Sequence, residues 1–217
     1  MKIRTLEQLE DLISDDLAWR KIEISAFDGQ IKRSRDIVQA ALLRASAALL
    51  YAHWEGFVKT ALHSYSSFLV GQRLPQAKVR SEIVAMSFRS HFKRMEGANR
   101  ITDYISFVES FRSGELNRLT LGAEKSDIDT QANLSSRVLG DLLSTFGIDS
   151  AGYTGDADLI DSNLLLLRNS IAHGERADLE EPEWRELRVG VVNLLDRVHV
   201  DVVNHAALKA YLSSAAA

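Results

Sequence analysis

Apolar residues recur at spacings of three and four along most of the chain, the period of helices with one buried face. Over residues 5–27, Leu6, Leu9, Ile13, Leu17 and Ile24 make one stripe, and Thr5 can cap the first turn with Gln8 in capping-box position. Asp28-Gly29 is a turn signal. Residues 30–70 form the longest helical stretch, from Ile31, Ile37 and Val38 through Leu42 and Leu49 to Trp54, Phe57, Leu62 and Leu69. Alanine is dense from Ala40 to Ala52, so another helix can approach closely there. Gly56 sits inside this stretch, where glycine costs roughly 1 kcal/mol against alanine, so a packing or functional reason is expected, such as the approach of a second protomer or a substrate.

The same period predicts helices over 78–95 and over 102–112, the latter with Tyr104, Ile105, Val108 and Phe111 inward. A helix over 135–146 ends at Gly147, and one from about 156 runs to His173 with Gly174 as its stop. Pro182 fits the first position of a last helix, whose stripe of Val189, Val192, Leu195, Val198 and Val202 is widened by Val191, Leu194 and Val203. That width points to burial on two sides, including a dimer contact. Residues 113–133 are polar and broken by Gly114 and Gly122, which predicts a loop or insertion, and Ala215–Ala217 should fray. No alternating strand pattern occurs, so the expectation is an all-α chain folded as one domain over 1–217.

Composition narrows this little. With 46% hydrophobic and 26% charged residues in 217, the chain can bury a sizeable core. It has no cysteine, hence no disulfide or thiolate zinc site, which fits a cytoplasmic location. No apolar run approaches the ~20 residues of a membrane span, and Met1-Lys2-Ile3-Arg4 leads into no signal-like segment. A net charge of −4 and pI near 5.9 argue against a large sequence-independent nucleic-acid surface but leave room for a local basic cleft. The basic stretch 78–100, with Phe88 and Phe92 interleaved, is either such an RNA contact or a solvated face over core phenylalanines. His53 and His63 read as solvated or capped side chains, no histidine pair has metal-ligand spacing, and no phosphate-loop motif implies a cofactor.

One stretch departs from generic packing: residues 164–175, LLLLRNSIAHGE. Asn169 and His173 are four apart and share a helix face, and the long Arg168 side chain can wrap towards the same point. Imidazole can move a proton near neutral pH, and the helix C-terminus favours its charged form. A guanidinium matches phosphate oxygens with two parallel hydrogen bonds. Together they suit attack of a ribose 2′-hydroxyl on its own phosphodiester. A capped helix end with a surface arginine is the bland alternative. Glu55, between Trp54 and Phe57, either pairs with Lys59 at i+4 or orients Arg168 or His173 across the bundle.

RNSIAHG resembles the Arg-x4-6-His motif of the HEPN superfamily, small α-helical domains found in prokaryotic toxins and defence ribonucleases. His53-Trp54-Glu55-Gly56-Phe57 is similar to the polar patch on the second helix of one bacterial branch. The resemblance implies a bundle of four to five long helices plus short ones, and a homodimer whose two motifs face one cleft. It also implies metal-independent RNA cleavage leaving a 2′,3′-cyclic phosphate and a 5′-hydroxyl. It assigns Arg168, Asn169 and His173 to catalysis, with Glu55 in support, and makes an inhibitory protein partner plausible. Toxins of this type that are nucleotidylated often carry tyrosine two residues past the histidine; here that position is Glu175. A non-catalytic dimerisation or partner-binding module of the same fold is the rival expectation.

Overall fold

The computed structural model describes residues 2–98, 100–114, 118–122 and 127–213. Three long helices build the centre: α1 (Leu6–Arg33), α2 (Asp36–Gly71) and α8 (Glu181–Ala207). α1 and α2 form a hairpin, and α8 packs on both. Leu9, Ile13, Leu17 and Ile24 of α1 meet Leu50, Trp54, Phe57 and Leu62 of α2 and Val191, Leu195, Val198 and Val202 of α8 in one continuous core. The Thr5 capping box forms, with Thr5 Oγ1 accepting from the Gln8 N–H at 3.2 Å.

Asp28-Gly29 does not turn; α1 runs on for another turn and the break falls at Ser34-Arg35. The reason is the company Asp28 keeps. Its carboxylate accepts from Lys32 Nζ at 2.7 Å and from the Trp184 indole at 3.1 Å, and it faces Arg188 at 3.5 Å, so it ties α1 to α8 instead of capping a turn. Burial pushes the Asp28 carboxyl up, but these partners win and hold it below the ordinary carboxylate value.

The predicted helix over 78–95 is two helices, α3 (Ser81–Ser87) and α4 (Arg89–Ala98), hinged at buried Phe88. α5 (Ile101–Gly114) packs chiefly on α4, so the pair forms an arm beside the bundle. Here the inward assignment is overturned for Tyr104, Ile105 and Val108, which are 41–50% exposed, while Phe111, though 52% exposed, keeps its ring 5.9 Å from buried Phe88. Phe107 takes the inner position, its ring 5.6 Å from Phe88 and 5.3 Å from Phe92. Of the predicted loop 113–133, residues 115–117 and 123–126 lie outside the described residues, as does the tail at 215–217. Residue 118 bridges back to Pro75, and the Leu119 N–H donates to the Leu74 carbonyl at 2.8 Å.

α6 (Ser136–Thr145) matches the predicted helix over 135–146 and is followed by Gly147 (φ +72°) as the pattern predicts, with Ser135 capping the helix and not lying inside it. The helix expected from 156 to 173 is instead a 3₁₀ turn (Ala151–Asp156), a π-helical turn (Leu159–Leu165) and α7 (Leu166–Ala172). Two anchors fix this path. Asp161 accepts from the Ser136 N–H and hydroxyl at 2.7 and 2.5 Å, and Leu159 lies so close to α8 that a Cβ on Gly190 would sit 2.6 Å from it. Among the described residues, no helix is long and apolar enough to cross a membrane.

Candidate active site

α7 ends in a double-bonded C-terminal turn: the Gly174 N–H donates to the Ile171 carbonyl at 3.1 Å and the Glu175 N–H to the Ser170 carbonyl at 2.9 Å. Gly174 (φ +78°) supplies the left-handed residue this turn needs. Arg44 of α2 then donates to the Glu175 carbonyl at 2.8 Å. The backbone carrying His173 is thus tied at both sides, while its imidazole is exposed.

Arg168, one turn earlier, is held from several directions. Its Nη1 donates to Asn169 Oδ1 at 2.7 Å and to Asn133 Oδ1 at 3.1 Å, and its Nη2 lies 3.9 Å from Glu55 Oε2. The guanidinium also covers the Tyr51 ring, 4.2 Å from the centroid. About a quarter of the side chain still meets solvent, so the fork is fixed in direction but reachable.

Glu55 does both things considered for it. Its Oε1 accepts from Lys59 Nζ at 2.7 Å and from the Thr130 hydroxyl at 2.6 Å, while Oε2 faces Arg168. Burial pushes this carboxyl up; the Lys59 and Thr130 hydrogen bonds, the Lys59 charge and the Tyr51 hydroxyl outweigh it and hold it below the ordinary glutamate value. Tyr51 in turn accepts the Leu134 N–H at 2.7 Å, and burial together with the Glu55 charge pushes its hydroxyl up to about 12. It stays neutral and serves as a platform and a relay between Glu55 and the 130–134 turn.

Arg168, Asn169 and Glu55 are therefore brought together, and His173 stands one turn further on, its ring free of hydrogen bonds to described residues. Tyr51, Thr130 and Asn133 escape sequence reasoning. Tyr51 is one turn before Glu55 on the same helix face, a spacing that could have exposed it. Thr130 and Asn133 sit in the stretch that reads only as polar loop. Between them Gln131 and Ala132 both take left-handed backbone, φ +52° and +64°, a conformation that costs non-glycine residues energy and concentrates at sites that need a fixed shape.

His53 is buried rather than solvated: Trp19 meets its ring edge-on and Glu23 lies 3.0 Å from Nε2. Burial and the Arg20 charge lower its pKa. Gly56 owes its place to the same cluster, because a Cβ there would lie 2.8 Å from Arg20 Nη1; the close approach is by α1, not by a protomer or substrate. Among the described residues no acidic and histidine side chains group as a metal site.

A helical bundle carrying Arg-x4-His at the end of a helix, with its arginine braced by an acidic residue of the second helix, is the arrangement of a HEPN domain, and the chain belongs to that superfamily. The family model that matches it, over residues 9–211, is described as MAE_28990-like HEPN. No curated protein and no solved structure matches the chain.

Proposed function

We propose that the protein is a metal-independent endoribonuclease of the HEPN type. The observation that carries this reading is the Arg168 guanidinium, steered by Asn133, Asn169 and Glu55 over Tyr51, one helical turn before an exposed His173. The ribose 2′-oxygen attacks the adjacent phosphorus, the bond to the 5′-oxygen breaks, and a cyclic phosphate and a 5′-hydroxyl result. His173 moves the proton; Arg168 neutralises charge building on the phosphoryl oxygens. Asn169 and Glu55 position Arg168 rather than touching RNA. In a two-fold homodimer, one His173 accepts the 2′ proton and its symmetry mate protonates the leaving oxygen. Such an activity in the cytoplasm suits a toxin or antiviral effector restrained by a protein partner.

The test is cleavage of a mixed RNA pool in EDTA by wild type, Arg168→Ala and His173→Ala, with product ends identified. Cyclic-phosphate products lost in both variants support the proposal; cleavage unchanged in the variants overturns it. The acidic run at 175–186, immediately past His173, favours the rival reading of a partner-binding module, in which His173→Ala leaves partner binding intact and there is no cleavage to lose.

A further inference from the structure

The chain has a net charge of −4, yet one concavity at the far end of α2 gathers positive charge. Lys2 and Arg4 reach it from the segment before α1, and Arg73 from just past the end of α2. Val70, Leu121 and Gly122 complete the wall of a cavity of about 290 Å³, and no carboxylate is among its lining. Asp127, whose carboxylate lies against Gly122, lines the adjoining groove instead, where its carbonyl accepts from Arg89 at 3.0 Å. Among the described residues, the side chains of Lys2, Arg4 and Arg73 make no hydrogen bond or ion pair.

The backbone that carries these cations is fixed. The carbonyl of buried Ile3 presses on α2 so closely that a Cβ on Gly71 would lie 2.0 Å from it. The Arg4 N–H donates to Gln8 Oε1 at 2.9 Å, and the Arg4 carbonyl accepts from Gln72 Nε2 at 3.1 Å. On the opposite wall, Leu119 is tied to the Leu74 carbonyl two residues before Leu121. Arg73 has φ +54°, the left-handed position past a helix end that usually goes to glycine. An arginine there carries strain that glycine would not, and it sets a cation at the mouth of the cavity.

Helix ends do not account for this charge. A helix C-terminus attracts cations through its free carbonyls, but the last carbonyls of α2 are already served. Phe68 and Leu69 accept from the Gln72 N–H at 3.1 and 3.2 Å, and Val70 accepts from the Arg73 N–H at 3.1 Å. Lys2 and Arg4 stand before the N-terminal end of α1, where the helix dipole favours acidic residues. Like charges round one cavity repel, and an anion seated among them reverses the sign of the interaction. Guanidinium forks match phosphate oxygens, and three cations suit the double charge of a phosphate monoester better than the single charge of a carboxylate. The cavity lies at the lower bound of small-ligand sites, room for a phosphate and the sugar or ring next to it against Val70 and Leu121.

We infer that the Lys2–Arg4–Arg73 cavity binds a phosphate monoester, at a site separate from the Arg168 motif. Gly71 lies sixteen residues past Glu55 along α2, about 24 Å at the helical rise per residue, so one phosphate cannot touch both. The chemistry is shared by a free nucleoside monophosphate and by the 5′-phosphate of an RNA strand. The inference does not rest on the ribonuclease reading.

Titration calorimetry of the full chain with UMP, inorganic phosphate and uridine tests it. UMP and phosphate should bind and uridine should not. Arg4→Gln and Arg73→Gln should each weaken UMP binding by at least about tenfold, the loss of one charge-assisted phosphate contact, while Arg168→Ala leaves it unchanged. Arg73→Gly separates charge from folding: it removes the cation and the left-handed strain together, so it should melt no lower than wild type and still lose affinity. Uncleavable 2′-O-methyl RNA hexamers distinguish the two sources. Displacement of UMP by the 5′-phosphorylated strand alone supports a site for RNA ends, and displacement by neither strand supports a site for a free nucleotide. Equal displacement by a 5′-hydroxyl strand shows that backbone diesters suffice and overturns the monoester assignment. No binding of UMP or phosphate at about 1 mM, or binding indifferent to Arg4→Gln and Arg73→Gln, overturns the inference. So does binding lost in Arg168→Ala, which places the anion at the motif. Failure of the ribonuclease reading shows separately, as cleavage indifferent to Arg168→Ala and His173→Ala.

Discussion

Arg168 lies over the ring of Tyr51, its guanidinium carbon 4.2 Å from the ring centroid, while the Tyr51 hydroxyl accepts the Leu134 N–H at 2.7 Å. One tyrosine therefore supports the Arg168 guanidinium with its face and the 130–134 turn with its oxygen. The two roles separate by substitution. Tyr51→Phe keeps the face and strands a buried N–H, so it should cost about 1–3 kcal/mol in denaturant unfolding with cleavage largely retained. Arg168→Lys keeps the charge but loses the planar fork shared between Asn133 and Asn169, and it should lower the cleavage rate by about 10²–10³-fold with stability little changed. Equal activity of Arg168→Lys and wild type would mean that only charge matters at this position.

The turn that brings Asn133 to Arg168 is held in a costly shape. Ala132 has φ +64° and follows Gln131 at φ +52°. Glycine relieves the Cβ clash at such a residue, although it also loosens the unfolded chain, so Ala132→Gly should stabilise the protein by about 0.5–1 kcal/mol. Asn133→Ala should leave stability nearly unchanged and lower cleavage by roughly tenfold, because it removes one of the two amide oxygens that aim Arg168. Differential scanning calorimetry and single-turnover cleavage distinguish these outcomes. A destabilised Ala132→Gly would show that the turn is not strained in solution.

The helical class and the main stripes were legible because a 3.6-residue period survives any tertiary context: Leu9, Ile13, Val191 and Val198 are all buried where the pattern puts them. The capping signals at Thr5, Gly147 and Gly174 were equally local and equally readable. Asp28-Gly29 misled because a turn dipeptide says nothing about Trp184 and Arg188, more than a hundred residues away. Period also fails to say which side of a short helix is inside: Phe107 and the Ile105–Val108 face of α5 compete, and only the neighbours on α4 decide. At the site, Arg168, Asn169 and Glu55 stood out because their residue types are odd on apolar helices, and the structure brings the three side chains together. Thr130 and Asn133 looked like any polar loop, and nothing in their spacing tied them to α2 or α7.

Acid should unfold the protein in two windows. His53 and His205 both have pKa values lowered by burial, so the unfolded chain binds their protons more readily than the folded one. Their contribution is present above the ordinary histidine value of 6.5 and is lost as pH falls through the lower folded values. His53 is faced by Arg20, Glu23 and Asp16; the Arg20 charge deepens the shift and the two carboxylates limit it. Glu55, also lowered, contributes above its ordinary value of 4.5 and loses that contribution as pH falls further. Urea midpoints measured from about pH 8 to about pH 3 should therefore fall first below 6.5 and again below 4.5. His53→Gln should flatten only the first decline and Glu55→Gln only the second; a first decline unaffected in His53→Gln would assign it to His205 alone.

Gly56 offers a test in which two physical effects oppose each other. Inside α2, alanine is favoured over glycine by roughly 1 kcal/mol of helix propensity. Against this, the new Cβ would lie 2.8 Å from Arg20 Nη1 and 3.1 Å from Nη2. An arginine tip in solvent would simply move away, but this one is 6% exposed. Its Nε and Nη2 donate to Asp16 at 2.7 and 3.3 Å, its Nη1 to the His53 carbonyl at 3.3 Å, and it lies over the Trp19 ring. Displacing it would break these bonds or leave a buried charge short of partners, which outweighs the propensity gain. Gly56→Ala should accordingly destabilise the protein by about 1–2 kcal/mol in thermal melts, and Gly56→Ala combined with Arg20→Met should be less than additive because the clash is gone. A Gly56→Ala protein more stable than wild type would show that the Arg20 cluster yields freely, and that glycine at this position answers to something other than α1.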